Sequence, residues 1–137
     1  MITKNNVKHS LLAVGLVASF SGLAFADGAS AIKRTILERH DQTGVDGKEI
    51  VLGTAELAVG AASGWHTHPG DESGYVLKGT LILKSKGQPD RLLHAGDHFF
   101  NPRGLAHNLI AAPSADGIAV STWIVDKGVP LASPVVE

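Results

Sequence analysis

After residue 26 the chain shows short runs of β-branched and apolar residues between turn-forming residues, and no sustained helical periodicity. Clusters of glycine, proline and aspartate, such as Asp46-Gly47, separate these runs. Many short strands separated by such turn-forming clusters predict an all-β sandwich or barrel. The predicted strands cover residues 34–40, 48–59 with a bend expected at Gly53, 74–78, 80–84, 91–94, 98–100, 107–111 and 117–125.

The first 26 residues have a different pattern. Lys4 and Lys8 precede an apolar run at 11–20, and residues 24–26, Ala-Phe-Ala, form a small-x-small cleavage site. This order is typical of a cleavable secretory signal peptide. A membrane anchor is the alternative, but the run is shorter than the roughly 20 residues of a spanning helix. We therefore expect export to the periplasm or the exterior, with no stable membrane insertion after cleavage.

The length of 137 residues, less this leader, is that of one domain. We expect a flexible lead-in at 27–33, a barrel domain at 34–127 and an extended C-terminal tail at 128–137. The tail contains Pro130 and Pro134, which disfavour a central strand.

Composition excludes several classes of function. The chain has no cysteine, so disulfides, thiol catalysis and a lipoprotein anchor are all excluded. Two of the 12 basic residues lie in the leader, which leaves ten against 13 acidic residues. The ten are scattered and form no basic stripe, so we expect no nucleic-acid partner.

The segment GWHTHPGDESGY, residues 64–75, concentrates metal-binding side chains. His66 and His68 are two apart, so on a strand they point to the same face. The Pro69-Gly70 turn can reverse the chain and bring Glu72 back beside them. A His-x-His pair alone is as often structural as metal-binding. However, a second rigid turn at 102–104, Pro-Arg-Gly, precedes His107, which could complete a set of three histidines and one carboxylate.

These spacings resemble the two sequence motifs of the cupin superfamily, in its small single-domain type 2 form. Ala111 stands where the second motif has asparagine. The resemblance implies a small antiparallel jelly-roll barrel, often homodimeric, with a metal held by His66, His68, Glu72 and His107. The matching motif positions are Gly60, His66, His68, Glu72 and Gly79 in the first motif and Gly96, Pro102, Gly104 and His107 in the second.

Three neutral imidazoles and one carboxylate suit one divalent transition-metal ion, with Fe(II) favoured and Mn, Ni, Cu or Zn as alternatives. The leading hypothesis is a metal-dependent dioxygenase-type enzyme that acts on a small organic substrate, with Glu72 also acting as a base, as in some similar proteins. The alternatives are a non-catalytic module that binds a small ligand or the metal, a metal-dependent isomerase or lyase, and a barrel whose metal site is not used.

Four further residues are candidates for the surroundings of the metal or for a substrate pocket. His98 follows the predicted turn at 95–97, and Phe99 and Trp123 lie in apolar runs that could form an aromatic wall. Arg103 lies inside the second turn, where it could meet an anionic substrate. Each also has a simpler structural explanation: an exposed strand residue for His98, core packing for the aromatic residues and a solvated charge for Arg103.

Overall fold

The computed structural model describes residues 31–136, so the predicted signal peptide, residues 27–30 of the lead-in and Glu137 lie outside the described residues. Within this range no helix is long and apolar enough to cross a membrane. The regular secondary structure of the described range consists of β1 (Ile32–Asp41), β2 (Lys48–Leu57), β3 (His66–Thr67), β4 (Gly70–Ser85), β5 (Arg91–His94), β6 (His98–Asn101), β7 (His107–Ala111), β8 (Gly117–Asp126) and β9 (Ser133–Pro134).

The strands form one antiparallel sheet that curls into a barrel, in the order β1-β2-β8-β4-β7-β3-β9, and β5 and β6 also pair with β4. The first half of β4 pairs with β6 and β8, and its second half pairs with β5 and β7. We call β1, β2, β8, β6 and the first half of β4 the first sheet. The remaining strands with the second half of β4 are the second sheet. The predicted all-β jelly-roll architecture is confirmed.

β4 differs from the prediction because it is one strand of 16 residues rather than two strands separated by Gly79. Its register shifts between Val76 and Lys78, and Gly79 has a φ of 76°. A Cβ atom at Gly79 would lie 1.9 Å from the carbonyl oxygen of Asp116. Glycine here bends a strand that stays paired, and the sequence alone does not distinguish such a bend from a turn.

Both ends of the described chain contain strand beyond the predicted bounds. Ile32 and Lys33, which the prediction placed in the lead-in, belong to β1. The C-terminal tail, which was predicted to form no strand, contains the short β9, and β9 pairs with β3. This pairing has no local sequence signal because its partner strand lies far upstream in the chain.

The inward faces of both sheets share one apolar core. In β8 every second residue is buried, which places Ala119, Ser121 and Trp123 on the inner face. Ala111, where the cupin motif has asparagine, is fully buried, and its backbone N–H donates to Ala61 O over 2.8 Å. The core cluster contains Leu57, Ala61, Val76, Leu81, Leu83, Leu93, Phe99, Leu109, Ala111 and Ala119.

Candidate metal centre

Two rows of polar side chains face each other inside the barrel, one from each sheet. In the first sheet, Glu72 on β4 is paired in register with Asn101 on β6 and with Trp123 on β8. In the second sheet, His107 on β7 is paired with His66 on β3 and with Ser85 on β4. All six residues are buried except His66, which is half-buried. Residues that are distant in sequence thus reach one site through strand register.

The three predicted histidine ligands lie together. His68 follows β3 and is buried. The ring centroids of His66 and His107 are 4.3 Å apart, and those of His68 and His107 are 5.1 Å apart. One nitrogen from each ring lies within 4.8 Å of the others, so three histidines are positioned to hold a metal ion. The Pro69-Gly70 segment was expected to fold Glu72 back beside β3, but β3 pairs with β7 and β9 and not with β4.

Backbone carbonyls orient all three imidazole rings. Nδ1 lies 2.7 Å from Gly64 O in His66, 2.7 Å from Leu131 O in His68 and 2.9 Å from Leu105 O in His107. A carbonyl oxygen only accepts hydrogen bonds, so each Nδ1 carries the proton. In the neutral rings each Nε2 is therefore left with a lone pair, the form that binds a metal.

Glu72 contacts the histidine cluster through its Oε2 atom. That atom lies 3.2 Å from Nε2 of His107 and 3.5 Å from Nε2 of His68, and it accepts a hydrogen bond of 2.8 Å from Nδ2 of Asn101. Burial acts to raise the pKa of Glu72, but the contacts with His107, His68 and Asn101 outweigh it and hold the pKa well below its usual range. Glu72 is therefore a carboxylate at neutral pH.

This donor set fits a divalent metal ion. Nε2 of His107 and Nε2 of His68 both face the carboxylate of Glu72, so a proton or a cation must lie between each nitrogen and the oxygen, because two bare acceptors at this separation repel each other. Imidazole nitrogens with a carboxylate oxygen suit first-row transition metals. His66, His68 and His107 are therefore positioned to hold such an ion, and Glu72 contacts two of these histidines through Oε2.

His66 is held in its neutral form by its surroundings. The pKa of His66 is lowered from 6.5 to about 4, chiefly by burial, although the hydrogen bond to Gly64 O acts in the opposite direction. The nearby rings of His107 and His68 contribute to this lowering, because positive charges so close together would repel each other. His66 thus keeps its metal-binding form in mildly acidic solution.

A cavity of about 460 Å³ opens beside the cluster. Its lining includes the three histidines and Glu72, and the rest of its wall is mostly apolar, with contributions from Ile36, Phe99, Leu109 and Ala119. A pocket with apolar walls and a few convergent polar groups is typical of a site for a small organic molecule.

The structure places two of the four additional candidates at this site. Phe99 is buried and lines the cavity. Trp123 also lines it, and its indole Nε1–H donates to Nε2 of His68 over 3.2 Å. Both residues were predicted as an aromatic wall.

The other two candidates lie outside the cavity lining. His98 is exposed because it alternates with the inward-facing Phe99 on β6. Arg103 is exposed and bound elsewhere: its guanidinium donates to Pro69 O over 2.6 Å and pairs with Asp126, and its backbone N–H donates to Asp71. Arg103 thereby ties the second turn to β4 and β8, so the predicted contact with an anionic substrate has no support here.

Sequence reasoning missed three contributors to the site. Asn101 holds Glu72, and its position two residues after the inward-facing Phe99 on β6 was an available signal. Leu131, in the C-terminal tail, accepts the His68 hydrogen bond through its backbone, which no side-chain pattern reveals. Arg34 lines the cavity from the edge strand β1. The Oδ1 atom of Asn101 is buried with no partner in the described chain.

The sequence of this chain is similar to those of known proteins. The sequence profile of the cupin domain family matches residues 53–125. The β-alanine degradation protein BauB of Pseudomonas aeruginosa is 34% identical over 85 residues, which cover 58% of this chain and 86% of that protein.

Two solved structures have a similar fold. The DMSP lyase DddQ of Ruegeria pomeroyi has a TM-score of 0.65 at 23% identity, over 80% of this chain and 54% of that chain. An oxalate oxidase in complex with the substrate analogue glycolate has a TM-score of 0.57 at 25% identity, over 71% of this chain and 55% of that chain.

Proposed function

The chain belongs to the cupin domain family, and on that premise we propose that it is an exported, metal-dependent enzyme of the dioxygenase type that acts on a small organic molecule. The observation that carries the proposal is the cluster of His66, His68 and His107 in the wall of a largely apolar cavity, with Glu72, the proposed fourth ligand, in contact with two of them. A catalytic metal site keeps a coordination position open to substrate, and the cavity beside this cluster gives a small molecule access to it.

The protein's own residues would bind, shield and orient the substrate. Phe99, Leu109 and Ala119 offer apolar surface to its carbon skeleton and exclude water from one side of the site. Asn101 holds one oxygen of Glu72, which keeps the carboxylate aimed into the cavity, where it is placed to accept a proton from bound substrate. A bound transition-metal ion, with Fe(II) favoured, would supply Lewis acidity and electron transfer toward dioxygen.

The names of two similar proteins, BauB and the oxalate oxidase, both refer to small carboxylic acids: β-alanine in the first case and oxalate in the second. Substrates of that size are compatible with a cavity of about 460 Å³. This likeness supports a small organic substrate and leaves the reaction to be tested.

The test is oxygen uptake by the purified protein loaded with Fe(II), Mn(II), Ni(II), Cu(II) or Zn(II) in turn. The substrate panel comprises flavonols, β-diketones, catechols and small carboxylic acids. Uptake with at least one metal and substrate is the expected result. Substrate loss without oxygen would instead indicate an isomerase or lyase. Tight retention without turnover would indicate a binding module, and either result would overturn the dioxygenase proposal.

Loss of a ligand should remove the metal. His107→Ala deletes a buried imidazole from the centre of the cluster, so we expect most of the metal to be lost, as measured by elemental analysis. His98→Ala is the matched control, because His98 is an exposed histidine outside the cavity. Equal metal content in the two variants would contradict the proposed ligand set.

Export and a homodimer remain proposals from the sequence. Tyr75, Leu77 and Phe100 are apolar residues that are about half exposed on β4 and β6, which is compatible with a partner subunit. Light scattering on the purified protein tests the dimer, and N-terminal sequencing of protein from the host envelope tests cleavage after residue 26.

A further inference from the structure

Arg34 is the one lysine or arginine in the lining of the cavity within the described chain. It lies on β1, the edge strand of the first sheet. Its guanidinium donates to Ser63 O over 2.8 Å and so spans from the first sheet to the segment that precedes β3. The residue is exposed, which places it where the cavity meets solvent.

Arg34 also differs from most basic residues of the described chain in having no acidic partner. The side chains of Lys33, Arg39, Lys48, Lys78, Lys84, Arg103 and Lys127 each pair with a carboxylate. The guanidinium has five N–H donors, and the bond to Ser63 O occupies one of its nitrogens. It therefore keeps donors and an unneutralised charge at the rim of an apolar cavity.

We infer that Arg34 is the carboxylate anchor of this cavity and that the substrate is a small organic acid with an apolar body. The inference rests on the proposed function for the identity of the site and names its substrate class. The carboxylate of the ligand pairs with the guanidinium fork at the rim, a geometry in which arginine forms two parallel hydrogen bonds. Its carbon skeleton lies against Ile36, Phe99 and Ala119, and its far end reaches the histidine cluster.

The charge at the rim has a polar counterpart deeper in the cavity. Within the described lining, Glu72 is the one acidic residue, and it lies beside the histidines. An organic acid that entered carboxylate first would bring its charge toward Glu72. In the metal-free protein, Coulomb repulsion by Glu72 and attraction by Arg34 therefore both favour the orientation with the carboxylate outward, whereas with a divalent ion bound only the attraction by Arg34 favours it.

The test uses hexanoate and its neutral analogue hexanamide as probes. Binding of each to the purified protein is measured by isothermal titration calorimetry, in metal-free and in Zn(II)-loaded samples. We expect hexanoate to bind about tenfold more tightly than hexanamide, as a charge-assisted hydrogen-bonded pair implies. In Arg34→Gln this preference should disappear, while the affinity for hexanamide stays unchanged.

Arg91→Gln is the matched control. Arg91 is likewise exposed, has no acidic partner in the described chain and donates to one backbone carbonyl, His98 O, but it lies outside the cavity lining. Its substitution should leave the binding of both probes unchanged. Arg34→Lys keeps the charge without the fork and should give an intermediate preference, and thermal unfolding by circular dichroism checks that each variant is folded.

Two results would overturn the inference: no hexanoate binding by the unmodified protein, or the same preference for hexanoate in Arg34→Gln. If the preference in Arg34→Gln persists only with Zn(II), the carboxylate binds the metal rather than Arg34. The dioxygenase proposal fails in a different measurement. If it is wrong, oxygen uptake is absent, but the binding of hexanoate still depends on Arg34.

Discussion

The two sheets hold the residues of the metal centre in different ways. Glu72 lies on the 16-residue β4, between β6 and β8, and its register partners Asn101 and Trp123 are themselves in regular strands. His66 begins the two-residue β3, and His68 lies just beyond the end of that strand. The carboxylate is thus held by extensive strand pairing, whereas two of the histidines depend on a short strand.

The histidine side is stabilised by single backbone contacts instead. Gly64 O and Leu131 O orient the rings of His66 and His68, and β9 pairs with β3 on one side. Segments with few such contacts open at a lower free-energy cost than central strands. The comparison implies that damage to the first sheet lowers global stability, while damage around β3 lowers metal affinity and leaves the fold intact.

The largest expected effect comes from Gly70→Ala in the first sheet. A Cβ atom there would lie 1.9 Å from the carbonyl oxygen of Ile124 and 2.6 Å from the Cα of Val125, both backbone atoms that cannot move aside alone. We expect a loss of about 3 kcal/mol in the free energy of unfolding, measured with urea. Ser73→Ala, at an exposed position of the same strand, is the control. A loss below about 1 kcal/mol would contradict the role assigned to this pairing.

The second effect concerns the C-terminal tail. A chain ending at Val129 lacks Leu131 O, the acceptor for His68 Nδ1, and lacks β9. Loss of such an orienting contact typically weakens metal binding by about 10- to 100-fold. We expect that weakening in a competitive chelator titration, with little change in the urea midpoint of the metal-free protein.

The control for the truncation is a chain ending at Val135, which keeps the Leu131 carbonyl and β9. It should bind metal like the full chain. If the chain ending at Val129 also binds metal normally, the tail has no part in orienting His68.

The third effect is a pH dependence of the metal-free protein. The pKa of His66 is about 4 in the folded state and 6.5 for an unperturbed histidine. Between these pH values, His66 binds a proton in the unfolded chain but not in the folded chain. Stability should therefore fall as pH decreases from 6.5 toward 4. Between pH 6.5 and 5, where most carboxylates stay ionised, His66→Gln should show a shallower decline in the urea midpoint. An equal slope in both proteins would show that His66 is not held neutral.

The smallest effect concerns the hydrogen bond between Trp123 of the first sheet and His68 of the histidine cluster. The Trp123 indole N–H occupies Nε2 of His68, the lone pair that a metal needs. Trp123→Phe keeps an aromatic ring and removes this competitor, so we expect metal binding about threefold tighter, from the modest net value of one hydrogen bond. Trp65→Phe, which alters the other tryptophan in the chain, is the control. Weaker metal binding in Trp123→Phe would mean that the indole supports the ligand rather than competing with the metal.

The sequence by itself determined the strand pattern and the identities of the clustered residues. Turn chemistry and the two-residue repeat of strands act over short distances, so β5 and β7 were predicted at their observed bounds. The spacing of His66, His68, Glu72 and His107 was sufficient to relate them to the cupin motifs, and the structure brings these four side chains together.

The tertiary structure alone decided which other residues join them. Arg103, a predicted neighbour of the substrate, pairs with Asp126 at the surface, whereas Arg34, which no motif marks, lines the cavity without an acidic partner. Likewise, the Leu131 carbonyl reaches His68 from the far end of the chain. Such partners depend on the register of strands that are distant in sequence, and register is set by the packing of the whole barrel rather than by local residue preferences.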